Sequence, residues 1–353
     1  MRIVIVKLSA LGDILQTLDI LPRIMAVFPQ CKIDWVVEEK FRDALRDHPG
    51  IDSVITINSQ QLREGPILRA IKELRQKLQQ VEYNFLIDFQ GNCKSACINL
   101  FIRAKSKHGF SLFSTAEWPN IVSTTHRYDL RSILSIREKN LAFLEKVFKR
   151  SFINYKKIAI FPLKLCEEKI LKKYQARLSR NRLVAMICPF SKWPNKMVDN
   201  FFLVQFLQSI KESLDFQYLF VWENIEQKKI VEQWISYLKT SDLSIGNLSI
   251  PLWYHLMLES SLVIGVDSSS LHLASIANVP TYTFFGPSKG DVYTPNKDQH
   301  GYYQSLCPYN ITFKNRCPLL RTCKDGGCLN MLEVKKVVNH FFQWQKRFFH
   351  FGK

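Results

Sequence analysis

Two α/β domains, each built on a parallel sheet with crossover helices, are what this sequence predicts. Three observations carry that expectation. Short, continuous apolar runs alternate with helical segments through the first half, and the same alternation restarts in the second half. The length of 353 residues also exceeds one ordinary core and suits two domains of about 150 to 180 residues each.

The first element is the run Ile3 to Val6, which reads as a strand covered on both faces. Ser9 to Asp13 then carry turn and N-cap chemistry, and Ile14, Leu15, Leu18 and Leu21 recur at helical spacing. In doubly wound sheets such a loop lies at the carboxyl edge, where free backbone N–H groups and the positive end of a helix attract anions. Asp13 is therefore placed either to cap its own helix or to act as an acid–base group. The runs KIDWVVEE, DSVITI and NFLIDFQG continue the alternation.

Two basic stretches follow. Gln61 to Gln80 reads as a basic loop entering a helix, and HRYDLRSILSIREKN as a second basic segment; both suit a solvated helix face as well as an anion site. Lys164 to Arg182, rich in lysine and poorly patterned, reads as the linker. Strands resume with LVAMICPF, FQYLFVWE, SLVIGVDSSS and PTYTFFGP. The expected domains are residues 1–165 and 180–330, two Rossmann-like halves facing a cleft. Residues 331–353 read as an amphipathic, aromatic and basic helix that packs on a domain or touches a membrane surface.

Composition narrows the function classes. With 46% hydrophobic and 23% charged residues the chain is globular. The first apolar run is four residues long and meets Lys7, unlike a signal peptide, and no run reaches the length of a membrane span, so a cytoplasmic protein is expected. The net charge of +18 attracts polyanions: nucleic acid, anionic lipid or a phosphorylated substrate. Zinc-finger, aromatic RNA-binding and leucine-zipper patterns are absent, which sets nucleic acid aside. Cys31, Cys93, Cys97, Cys166 and Cys188 read as reduced core packing. Cys307, Cys317, Cys323 and Cys328 crowd one polar segment whose spacing matches no standard zinc pattern and leaves packed thiols, a metal or a disulfide open.

The second half supplies the phosphate chemistry. Asp267, Ser268, Ser269 and Ser270 sit in a strand-to-helix loop suited to a diphosphate or to a plain N-cap, with His272 one turn in as a ligand or a buried structural histidine. Ser191, Lys192 and Lys196 stand at another strand end, where a lysine can neutralise a departing phosphate. Glu223 and Glu226 follow a third strand, where a carboxylate can bind ribose hydroxyls.

The motifs IVKLSALGD, IDWVVEEKF, LIDFQGNCKSA, KHGF, GVDSSSLHLA and FFGPS, in that order from residue 1 to about 288, resemble the bacterial lipopolysaccharide heptosyltransferases of glycosyltransferase family nine, especially the heptosyltransferase I branch. The resemblance implies the two-domain glycosyltransferase B fold. It further implies inverting, metal-independent transfer of L-glycero-D-manno-heptose from ADP-heptose to Kdo of Kdo-lipid A, with no cofactor, at the inner face of the inner membrane on an anionic surface. It implies Asp13 as general base, Lys196, with Lys192 as the second candidate, at the leaving diphosphate, and Ser191 as a phosphate hydroxyl. Ser9 and Gly12 join the donor set, as do Glu226 or Glu223 at the ribose, Leu248 and Ser249 near the adenine, and Asp267, Ser268, Ser269 and His272 at the diphosphate and heptose. Lys94, matched by QGNCKSA, together with Arg63, Arg127 and Arg137, is implied on the anionic acceptor. The family usually carries glycine where Ser269 stands, which bears on the donor. Two other readings stay open: another nucleotide sugar or acceptor on the same fold, including a protein acceptor, and a non-catalytic polyanion-binding module.

Overall fold

Parallel strands buried on both faces need apolar side chains at every position, and the sequence supplies them. Ile3, Val4, Ile5 and Val6 are fully buried, as are Ala185, Met186 and Ile187. The computed structural model describes residues 1–58, 75–79, 81–133, 135–152, 161–179, 181–238, 242–295, 298–323 and 327–348. The chain forms two compact units, Met1–Pro162 and Leu163–Lys353.

The first unit carries β1 (Arg2–Val6), β2 (Lys32–Glu38), β3 (Ser53–Ile57), β4 (Glu82–Asp88), β5 (Arg103–Phe110) and β6 (His126–Tyr128). They form one parallel sheet in the order β3-β2-β1-β4-β5-β6. The second unit carries β7 (Leu183–Cys188), β8 (Phe216–Trp222), β9 (Leu243–Gly246), β10 (Leu262–Val266), β11 (Thr281–Phe285) and β12 (His300–Gln304), in the order β12-β11-β10-β7-β8-β9. Each unit winds outward from its first strand and then crosses back to that strand's other side. The order therefore reverses between β1 and β4 and between β7 and β10, the points at which doubly wound sheets bind their ligands. At the second reversal Gly265 lies against Cys188, where an added Cβ would stand 2.4 Å from the Cys188 carbonyl oxygen, so glycine permits the two strands to approach.

Several expectations change. The stretch read as a linker contains the helix Leu165–Gln175, which belongs to the second unit. Buried Glu167 accepts the Lys164 N–H at 2.8 Å and the Ser249 hydroxyl, and Tyr174 donates to the Ser244 carbonyl at 2.7 Å. These polar anchors leave no hydrophobic period to read. The C-terminal helix, Val334–Phe348, packs on a domain as one of its two readings has it: Val337, Phe341 and Trp344 are buried in the second core, with Phe341 against Phe206 and Tyr282. Its apolar face is thus spent on packing. Of the five cysteines read as core, only Cys188 is buried; Cys93, Cys97 and Cys166 are exposed and Cys31 is half-buried. The basic segment after residue 125 begins as the edge strand β6 and becomes helical only at Ile136–Phe148. No described helix is long and apolar enough to cross a membrane.

The β5–β6 edge holds a buried histidine. His108 stacks on His126 with ring centroids 4.7 Å apart and hydrogen-bonds Tyr128 and Ser106 through its two ring nitrogens. Burial, with His126 adding to it, lowers His108 to about 4, and burial does the same to His48. A histidine with a folded pKa below its ordinary value takes its proton more readily in the unfolded chain, so its stabilisation is held at neutral pH and lost as pH falls. Thermal unfolding followed by circular dichroism should move to lower temperature between pH 6.5 and about 4, and His108→Gln should flatten that dependence.

Candidate active site

At the first reversal, the loop after β1 is tied to the loop after β4. Lys7 donates to the Phe89 carbonyl at 3.2 Å, and the backbone N–H groups of Leu8 and Ser9 donate to Gln90 Oε1 at 3.0 and 3.1 Å. Beneath them lies Asp88, fully buried at the end of β4. Its Oδ1 accepts from the Gln90 and Gly91 N–H groups, and its Oδ2 from Ser95, Asn99 and Asn120, all within 3.0 Å. Five donors satisfy this carboxylate in the interior, and it fixes three segments at once.

Ser9, Gly12 and Asp13 ride on this frame, all half-buried. Asp13 is the third residue of the helix Leu11–Leu18, and its Oδ2 accepts the Ala10 N–H at 3.2 Å. The capping arrangement is therefore present. It leaves the carboxylate half-buried at the N-terminus of its helix.

The basic residues of this unit are dispersed. Lys94 pairs with buried Glu38 at 3.1 Å, and Lys40 pairs with the same carboxylate at 3.2 Å. Arg127 is exposed and holds the Ile121 and Thr124 carbonyls at 3.0 and 3.1 Å. Arg137 has a buried Nη2 that meets no hydrogen-bond partner among the described residues; burial lowers its pKa to about 10, opposed by Asp19. Arg63 lies outside the described residues.

At the second reversal, the loops after β7 and β10 meet in an ion pair. Lys196 Nζ stands 2.5 Å from Asp267 Oδ2, with both side chains only 9% exposed. Burial pushes the Asp267 pKa up, but Lys196 overcomes it by charge and hydrogen bond, with Ser288 and His272 assisting, so the carboxyl titrates below its ordinary range. Lys192 is exposed, and Ser191 is half-buried and accepts the Trp193 N–H at 3.3 Å. Of the two candidate lysines, the structure brings only Lys196 to Asp267.

The helix Ser269–Ala277 opens immediately after this pair, with Ser268 at its N-cap and the Ser268 and Ser270 hydroxyls 2.8 Å apart. Ser269 is absent from the described non-glycine residues at positive φ, so its side chain carries no backbone strain. His272 is buried on the same helix and faces Asp267 electrostatically. Glu223 and Glu226 are both exposed, after β8 and in the first turn of the helix Ile225–Leu238. Ser249 caps the helix Ile250–Leu258 by accepting the Leu252 N–H, and Leu248 beside it is half-buried.

Sequence reasoning missed several supports. Asn195, next to Lys196, is buried and donates to the Leu320 and Cys323 carbonyls at 2.6 and 3.1 Å. Cys307, Cys317, Cys323 and Cys328 line one cavity with Asn195, Gly286 and Pro287. All four are free thiols, and among the described residues no group of three or more ligating side chains could hold a metal. The cysteine segment thus buttresses the Lys196 loop. Gln90, Asp88 and Glu38 were also unmarked, although each stands at or just beyond a strand's carboxyl end, which is the signal that finds them.

The family model for glycosyltransferase family 9 (heptosyltransferase) matches residues 71–322. The chain belongs to glycosyltransferase family 9. This family 9 enzyme is 27% identical over 309 residues to lipopolysaccharide heptosyltransferase 1 of Campylobacter coli, covering 84% of this chain and 87% of that one. It is 37% identical to the Escherichia coli K12 heptosyltransferase 1 over 123 residues, 34% of this chain and 38% of that one. Among solved structures, the E. coli heptosyltransferase WaaC with ADP-2-deoxy-2-fluoro heptose matches with a TM-score of 0.75 at 19% identity, covering 97% of this chain and 99% of that one. A family 9 glycosyltransferase from Veillonella parvula matches at 0.76 and 17%, covering 97% and 96%. These two likenesses are of fold.

Asp88→Asn turns one acceptor into a donor facing Ser95, Asn99 and Asn120. The variant should lose roughly 3 kcal/mol of stability in urea unfolding, and a loss within about 0.5 kcal/mol would contradict the role given to Asp88.

Proposed function

We propose that this enzyme transfers L-glycero-D-manno-heptose from ADP-heptose to a Kdo hydroxyl of Kdo-lipid A, with inversion and without a metal, at the cytoplasmic face of the inner membrane. The observation that carries the reading is the buried Lys196–Asp267 pair at a helix N-terminus beside a strand-order reversal. That combination offers a fixed cation and free backbone donors where a nucleoside diphosphate departs. The Campylobacter coli relative, which spans most of this chain, is named for heptosyl transfer in lipopolysaccharide, and one solved neighbour holds an ADP-heptose analogue.

In this mechanism the acceptor oxygen attacks the anomeric carbon from the face opposite the diphosphate. Its proton passes to the Asp13 carboxylate, and the new carbon–oxygen bond forms as the bond from C1 to the β-phosphate oxygen breaks. The electron pair leaves with ADP. Lys196 and the N–H groups opening Ser269–Ala277 receive that charge, with Ser191 and Ser268 as hydroxyl donors. Asp267 acts through Lys196, holding its Nζ in place; His272 adjoins the pair. A single displacement inverts the anomeric centre. Glu226, or Glu223 next to it, binds the ribose, and Leu248 and Ser249 border the adenine. Lys94, Arg127 and Arg137, with Arg63, meet the anionic sugar and phosphates of the acceptor.

Asp13→Ala should lower kcat by about 10²–10⁴-fold while calorimetric binding of ADP-heptose stays within about twofold of the parent. Equal loss of both would remove Asp13 as base. In the same titrations ADP-heptose should outcompete GDP- and UDP-sugars. A lack of adenine preference would assign Ser269 to a different donor.

A further inference from the structure

Beside the first reversal, the chain holds a set of large apolar side chains in solvent. Leu100, Leu112, Phe113, Trp118 and Val122 are each at least half exposed, with Trp118 at 67% and Val122 at 72%. They are not loose. The short 3₁₀ helix Trp118–Ser123 packs on the helix Cys93–Phe101, and its buried Asn120 hydrogen-bonds Asp88 at 2.7 Å. The N–H groups of Ala116 and Glu117 donate to the Gly91 carbonyl at 3.0 and 3.1 Å, and Ser111 donates to the Tyr128 carbonyl. A rigid frame that presents aliphatic and aromatic groups to water marks a contact surface.

Charge selects the partner. The Arg131 guanidinium, already paired with Asp129 at 2.7 Å, lies 4.5 Å from the centre of the Phe113 ring, and exposed Arg127 is anchored to the Ile121 and Thr124 carbonyls within the same segment. At a net charge of +18 a second copy is repelled, whereas an anionic surface is attracted. A polynucleotide would leave Leu100, Leu112 and Val122 without partners, since aliphatic side chains offer little to bases and phosphates. A bilayer satisfies both, taking tryptophan and phenylalanine at the headgroup level and arginine beside the phosphates.

We infer that the face formed by Leu100, Leu112, Phe113, Trp118 and Val122 docks on the surface of an anionic phospholipid bilayer. The inference rests on the reading that the acceptor is lipid-anchored, and it gives that reading a geometry. Gln90 holds the Leu8 and Ser9 backbone of the Asp13 loop, while its neighbour Gly91 holds Ala116 and Glu117 of the apolar face. Docking therefore brings the Asp13 loop to the headgroup plane, where a sugar on a lipid anchor stands.

The test compares the full chain with the double variant Phe113→Ser, Trp118→Ser in co-sedimentation with vesicles of phosphatidylcholine containing phosphatidylglycerol. It is paired with turnover of Kdo-lipid A in vesicles and of a deacylated, water-soluble Kdo acceptor. Because both side chains project into solvent, thermal unfolding should be unchanged, and Leu112→Ser, Val122→Ser serves as a second variant. The expected result is at least about tenfold weaker vesicle binding and a similar loss of kcat/KM on the embedded acceptor, with turnover of the soluble acceptor unchanged. Parental vesicle binding by both variants would overturn the inference. So would a parental dimer in light scattering that these substitutions dissociate without affecting vesicle binding. If the parent turns over neither acceptor while vesicle binding still depends on this face, the docking surface stands and the proposed reaction fails.

Discussion

A buried ion pair between Lys196 and Asp267 is the interaction around which the second unit's chemistry is arranged. Taking two charges out of water is costly, and an apolar pair of similar volume would often be at least as stable. Here the cost is offset by close geometry and by Asn195, which secures the lysine's loop to the Leu320 and Cys323 carbonyls. A pair held this firmly in a loop at a strand-order reversal is better explained by what it offers a ligand than by what it adds to the fold.

The first unit reaches a comparable end by different means. Buried Asp88 pairs with no cation among the described residues; it is satisfied by backbone and side-chain donors and serves as a hub from which Gln90 fixes the loop carrying Asp13. Asp13 itself remains half-buried with its capping bond to Ala10 intact. Helix capping is thus compatible with the proposed base role, because the cap orients a carboxylate that stays half-buried.

The sequence was most legible where strands are buried on both faces. Runs such as IVIV and LVIGV have one physical explanation, and each locates the loop that follows it, so the Asp13 and Asp267 loops were visible before any fold was known. The edges were not. β6, β9 and β12 are short, partly polar or aromatic strands whose outer sides make no demand for an apolar pattern. The helix Leu165–Gln175 was hidden because Glu167 and Tyr174 anchor it through polar bonds. Lys196 and Lys192 could not be separated by spacing, since only the fold decides which one turns inward to Asp267. Asn195 acts through contacts distant in sequence, to Leu320 and Cys323, and leaves no local mark.

The most direct measurement is a double-mutant cycle on kcat with Lys196→Met, Asp267→Asn and the pair together, using ADP-heptose and Kdo-lipid A. If Asp267 acts by holding Lys196 against the leaving diphosphate, Lys196→Met alone should cost about 10²–10³-fold, and the double variant should be no more than about threefold slower still. Losses that multiply across the cycle, or a Lys196→Met enzyme with parental kcat, would contradict it.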